Sequence, residues 1–265
     1  MSPAWLWGIL MVGILVALAV AGSLLVRRRF GVETLKLNNE VAGFIYAVVG
    51  VLYAVLLGFS AIIVWERFDH AQAGVDREAN EVADLYRDAQ AFPDPVRHAL
   101  EAQLRAYAVV VAEREWPAMA RQQPSPESWD AYNRLWRIYH RYVPETEHAR
   151  IWYAESLGKL NDLGDERRLR LLSSESHGVP GVMWAVLIGA GCITIGFSFL
   201  FGTRSATAHL LMTSGLAMTI ALVLFSIMAL QQPFAGITRV EPEAFHQVTR
   251  IFDVWSQAGA EPGPP

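Results

Sequence analysis

Two sets of residues interleave along one apolar stretch, GVLYAVLLGFSAIIVWERF, residues 50–68. Gly50, Ala54 and Gly58 fall four apart, and so do Val51, Val55 and Phe59. On a helix each set makes a stripe, the two lying about 100° apart around the axis. In lipid, a face of small residues lets helix backbones approach closely. Several copies packed by that face could point the bulky stripe at a shared axis. Such a ring makes a narrow apolar constriction that gates ions by dewetting, with no charged side chain required. The same stripes also suit an ordinary helical bundle, with Val and Phe filling its core.

Other residues that could do chemistry are few. Asn38, Asn39 and Glu40 precede the longer apolar run from Val41 to Trp65 that contains this stretch, and cap its N-terminus in the simplest reading. Around a pore they would ring one mouth, with Arg67 at the other end of the stretch. Arg67 can also pair along the helix with its neighbours or snorkel to headgroups beside Trp65. Asp69 and His70 follow, as a possible metal pair or as solvated charges. Cys192 is the only cysteine and has neither a disulfide partner nor a metal-ligand companion. There is no HExxH, no glycine-rich phosphate loop and no nucleophile with an evident base, so neither catalysis nor a metal or other cofactor is expected.

The elements that must position the stripes are membrane spans. The chain of 265 residues is 53% hydrophobic and 18% charged, too apolar for an ordinary soluble domain. Four uncharged stretches run from Ala4 to Val26, Val41 to Trp65, Val179 to Gly202 and Leu210 to Leu230. Each can cross a hydrocarbon core of about 30 Å. The first is read as a span and not a cleaved leader, because its positive charges follow the apolar run. None contains Asp, Glu, Lys, Arg or His, which favours passive conduction, or no transport at all, over ion-coupled transport.

The spans form two pairs, and the predicted division is 1–65, a polar block 66–178, 179–230, and a C-terminal segment 231–265 with a disordered tail. The block carries 15 Lys/Arg against 20 Asp/Glu, a net −5, which would enrich cations nearby. The whole chain is near neutral at −4, so no nucleic-acid partner is implied. Helical periodicity recurs through the block, including an aromatic stripe of Trp129, Tyr132, Trp136 and Tyr139. Strand-type alternation is absent, so the predicted class is all-α. Gly74 is the only Gly or Pro between Phe59 and Phe92. The second span is therefore predicted to continue into the block as one helix, tying the two together.

These residues resemble a known family. GVLYAVLLGF, with Arg67-Phe68 and Ala71 beyond it, is similar without a gap to the second transmembrane helix of bestrophins. QQPFAG after the fourth span resembles their Pro-Phe-Gly element. YAVLL, VWERF and the EWP motif of Glu115, Trp116 and Pro117 resemble the bacterial bestrophin-like families. The resemblance covers most of residues 41–245. It implies an oligomeric, pentameric ion channel in the bacterial inner membrane, with inorganic ions and the lipid bilayer as its partners. Val51, Val55 and Phe59 would form its hydrophobic neck, and the block its vestibule. Animal bestrophins bind calcium through an acidic cluster near the Pro-Phe element. Here Gln231 and Gln232 precede the proline and only Glu241 and Glu243 follow, so no calcium clasp is expected.

Orientation divides two arguments. Arg27, Arg28, Arg29 and Lys36 lie in one short loop and Arg204 in the other, which places both loops in the cytoplasm and the block outside. Bestrophins keep the block inside. The alternative to a channel is a membrane-anchored helical sensor or scaffold, whose aromatic stripe binds a partner.

Overall fold

The computed structural model describes residues 4–37, 39–175 and 178–258. These residues contain helices and connecting turns but no strand. They fall into two compact units. One takes the chain up to Arg67 and again from residue 177 to Gln231; the other takes Phe68 to residue 176 and the chain after Gln231.

The first unit contains α1 (Ala4–Phe30), the short α2 (Val32–Lys36), the apolar part of α3 (Asn39–Asp88), α8 (Gly181–Ser198) and α9 (Ala206–Leu230). Four of these helices are long and apolar enough to cross a membrane. Gly31, at φ 74°, breaks the chain between α1 and α2 in a backbone conformation that side chains disfavour. The connection before α9 lies at 199–205, four residues earlier than the apolar stretches indicate. Ser205 caps that helix by accepting from the Ala208 amide at 3.2 Å, so His209 lies in its first turn and is buried. Arg27 donates to the carbonyls of Thr203 at 3.1 Å and Arg204 at 3.4 Å.

Small residues make the close contacts inside this unit. A Cβ on Gly8 would lie 2.8 Å from the Phe225 ring, and one on Gly22 would lie 2.6 Å from Phe199. Gly191 admits the Tyr53 hydroxyl, 2.7 Å from where its Cβ would be. Close approach through glycine is how helices gain contact where lipid is as apolar as the side chains. Several hydroxyls within the spans return to their own helices: Thr194 to Ala190 at 2.8 Å, Thr219 to Gly215 at 2.9 Å and Ser226 to Leu222 at 2.9 Å.

α3 is a single helix of 50 residues, as the lack of helix breakers after Phe59 predicts. Its polar part belongs to the second unit, with α4 (Asp94–Val110), α5 (Trp116–Ala120), α6 (Pro126–Arg141), α7 (Glu147–Glu175) and α10 (Glu243–Ala258). Pro95 and Pro126 sit in the first turns of α4 and α6, where a missing N–H costs nothing. Between α4 and α5 the helix widens into a π turn over Val111–Glu115. Pro117 has no N–H for the carbonyl four residues before it, and the wider turn absorbs that loss. Val75, Val82, Leu100, Leu104, Leu135, Leu160 and Leu163 are buried in the core of this unit. The chain after Gln231 joins that core through Phe234, Val240, Phe245, Val248 and Phe252. Trp116 holds this segment by donating to the Val240 carbonyl at 3.0 Å and packing edge-on to Phe234 and Phe245.

Candidate functional site

Within the first unit, α3 buries Tyr53, Leu57, Ser60 and Val64, a stripe at helical spacing. Both stripes singled out in the sequence lie off that face. Val51 is 64% exposed, Val55 51% and Phe59 63%. Ala54 is exposed, and among the described residues nothing beyond the helix itself lies within 4 Å of a Cβ built on Gly50 or Gly58. The chain's own helices are therefore covered by neither set, and the glycines that do pack helices together here are Gly8, Gly22 and Gly191.

The residues at the two ends of the span behave differently from one another. Asn39 clasps Gly202: its amide donates to the Gly202 carbonyl at 2.9 Å and accepts from the Gly202 amide at 2.9 Å. Gly202 is also wedged against α2, with backbone only 2.5 Å from where its Cβ would be. Glu40 is exposed, and Asn38 lies outside the described residues. Arg67 is exposed and donates to the Gly178 carbonyl at 3.4 Å. Near that end Gln231 accepts from Trp184 Nε1 at 3.1 Å and from the Val179 amide at 3.4 Å. Asp69 and His70 are exposed, and no cluster among the described residues has three or more His, Cys, Asp or Glu placed to hold a metal.

The second unit contains a site that periodicity does not reveal. Glu78 on α3, Glu115 at the end of the π turn, and Arg167 and Arg170 on α7 are all at most 2% exposed. Arg170 donates to Glu78 at 2.5 and 3.0 Å and to Glu115 at 2.6 Å. Arg167 donates to the other oxygen of Glu115 at 2.5 Å. Tyr107 donates to Glu78 at 2.7 Å. Two carboxylates thus meet two guanidinium groups, and the cluster is neutral. Both cations also lie over indoles, Arg167 4.5 Å from the Trp129 ring and Arg170 5.1 Å from Trp116.

Such a cluster is stable only when complete, because each buried charge needs its partner. Burial lowers the proton affinity of Arg170, but Glu78 and Glu115 more than reverse this and raise its pKa. Burial, reinforced by Glu78, pushes the Tyr107 hydroxyl well above its ordinary range. Both groups are thereby held in their protonated forms. Of its members, sequence reading picked out only Glu115, through EWP. The π turn places that residue: Val111, Ala112, Glu115 and Trp116 are all buried. The aromatic stripe of α6 is mostly core, with Tyr132 and Tyr139 buried, Trp136 half-buried and Trp129 exposed.

The Bestrophin-like domain family matches residues 13–245. The chain belongs to the Bestrophin-like family. The match spans the stripes of α3, the buried charge cluster and the Pro-Phe-Ala-Gly segment after α9. Among solved structures, this Bestrophin-like chain is similar to a bacterial bestrophin homologue from Klebsiella pneumoniae carrying a single substitution. The TM-score is 0.71 at 13% identity, covering 92% of this chain and 98% of that one. It is also similar to a membrane protein bearing a point substitution, with a TM-score of 0.66 at 14% identity, covering 91% of this chain and 97% of the other. At those identities the likeness is one of fold. No curated protein matches the chain.

Proposed function

We propose that this Bestrophin-like protein is the subunit of a homo-oligomeric ion channel, a pentamer by analogy with bestrophins, in the bacterial inner membrane. Ions pass down their gradients through a neck lined by Val51, Val55 and Phe59 of each copy. These residues span two helical turns, about 12 Å along the axis. Gly50, Ala54 and Gly58 form the surface on which neighbouring copies pack. Asn38, Asn39 and Glu40 lie toward one mouth and Arg67 toward the other. The reading rests on one observation: α3 leaves both stripes uncovered by its own chain. A small-residue face without a neighbour in the chain calls for one outside it, and lipid rewards that contact only through close packing. A dewetted neck needs no ionisable group, in keeping with the uncharged stretch from Val41 to Trp65.

Single-channel recording in planar bilayers, wild type beside Phe59→Ala, tests the reading. Discrete currents that grow several-fold in the variant are expected, because removing the ring widens and wets the neck. Silence from both, in a preparation shown to be oligomeric, would reject conduction and move the assignment to a membrane-anchored scaffold.

A further inference from the structure

The charge cluster of the second unit leaves two donor nitrogens without an acceptor. All four carboxylate oxygens of Glu78 and Glu115 accept hydrogen bonds. Arg167, 1% exposed, uses only Nη2, and its Nε and Nη1 are buried without an acceptor among the described residues. Donors of a buried cation left unmatched are costly, and native proteins rarely leave them so. A cavity of about 470 Å³, within the range of small-molecule sites, lies next to the cluster at Glu115, with Arg167 itself set back behind its wall. Its wall includes Glu115 and Trp129, the two residues that hold the Arg167 guanidinium from either side. The remaining wall is largely apolar, with Met119, Pro124, Leu171 and Leu172. Gln122 at the rim has φ 54°, the only non-glycine positive φ among the described residues. Backbone strain of that kind gathers where a ligand or a moving part must be met.

We propose that this cavity binds a small organic carboxylate, its anionic end taking one of the free donors of Arg167 and its apolar body lying against Met119, Leu171 and Leu172. The preference for an anion comes from Arg167. The charges on the wall cancel, Arg168 against Glu175, and Glu115 is already matched by two arginines. Trp129 is 45% exposed and covers the guanidinium, so its indole must swing aside to admit the carboxylate. A carboxylate on a buried guanidinium is a strong, charge-assisted contact. The site lies wholly within the second unit and is independent of whether the first unit conducts.

Isothermal titration calorimetry of the full-length chain in detergent micelles, corrected with protein-free micelles, tests this. The titrants are phenylacetate and hexanoate, with phenethylamine as a cation of matched body. The expected result is saturable binding of at least one carboxylate and none of the amine. Leu172→Trp, which fills the cavity from an exposed position away from the charge cluster, is expected to weaken binding at least tenfold. Arg167→Lys, which keeps the charge and removes the free donors, is expected to do the same where thermal unfolding shows it folded. No saturable heat from either carboxylate, equal binding of the amine, or unchanged affinity in Leu172→Trp would overturn the proposal.

Discussion

Glu115 is where a single substitution should be most damaging outside the membrane. Its two oxygens hold two different arginines, both buried. Glu115→Gln leaves a surplus positive charge in the core of the second unit, and removing one partner of a buried pair costs roughly 3–5 kcal/mol. Thermal unfolding followed by circular dichroism should show a large loss of stability, whereas Glu113→Gln on the exposed side of the same turn should melt like wild type. Tyr139 gives a second residue-level expectation. Burial pushes its hydroxyl up to about 12, against 10.0 for an ordinary tyrosine, the bond to Ser156 opposing this only in part. A group whose pKa is raised on folding stabilises the native state fully below its unfolded value and loses that contribution as pH climbs to the folded value. Stability should therefore fall between pH 10 and 12, and less steeply in Tyr139→Phe.

At the scale of the element, α3 and α1 use glycine for different partners. A Cβ on Gly22 would meet Phe199 of the same chain, whereas one on Gly58 meets nothing in it. Gly22→Leu is therefore expected to destabilise the monomer itself. Gly58→Leu should leave the monomer's fold and melting intact but dissociate the oligomer in mild detergent, read by light scattering on size-exclusion chromatography. An unchanged oligomer in Gly58→Leu would remove the small stripe from the subunit interface. The continuity of α3 was legible because the sequence offers no breaker between Phe59 and Phe92 except Gly74, and one glycine costs a helix only about 1 kcal/mol. The start of α9 was harder to read. Apolarity begins at Leu210, but Ser205 can cap a helix and the polar residues after it still extend one.

For the whole molecule, the charge of the polar block and the basic loops make separate claims. The block's net −5 should enrich cations near a conduction path, so reversal potentials in asymmetric KCl are expected to lie toward the potassium equilibrium potential, and to shift toward zero at high salt as screening sets in. Arg27 meets the carbonyls of Thr203 and Arg204, which brings the two basic loops to one end of the first unit. Counted together, their charges predict by the positive-inside rule that this end lies in the cytoplasm. A cysteine at exposed Glu127, in a Cys192→Ala background, should then react with an impermeant maleimide added outside intact cells. Protection there, with labelling after lysis, would give the orientation of bestrophins.

The sequence alone determined the class of this protein. Four uncharged stretches, an unbroken second helix and the helical periodicity of the block specify an all-α membrane fold, because span length and helix period are local properties of the chain. It also marked the two stripes of α3 by spacing, although spacing cannot say which helix faces they meet. Only the tertiary structure decided that Tyr53, Leu57 and Val64 take the inner face of α3 and leave Val51, Val55 and Phe59 outside. Only it brought Glu78, Glu115, Arg167 and Arg170 together. These four stand on three segments separated by 37 to 92 positions, and each by itself resembles a solvated charge on a helix. Their burial follows from packing α3, α7 and the π turn around one core, a long-range arrangement that no local pattern in the chain encodes.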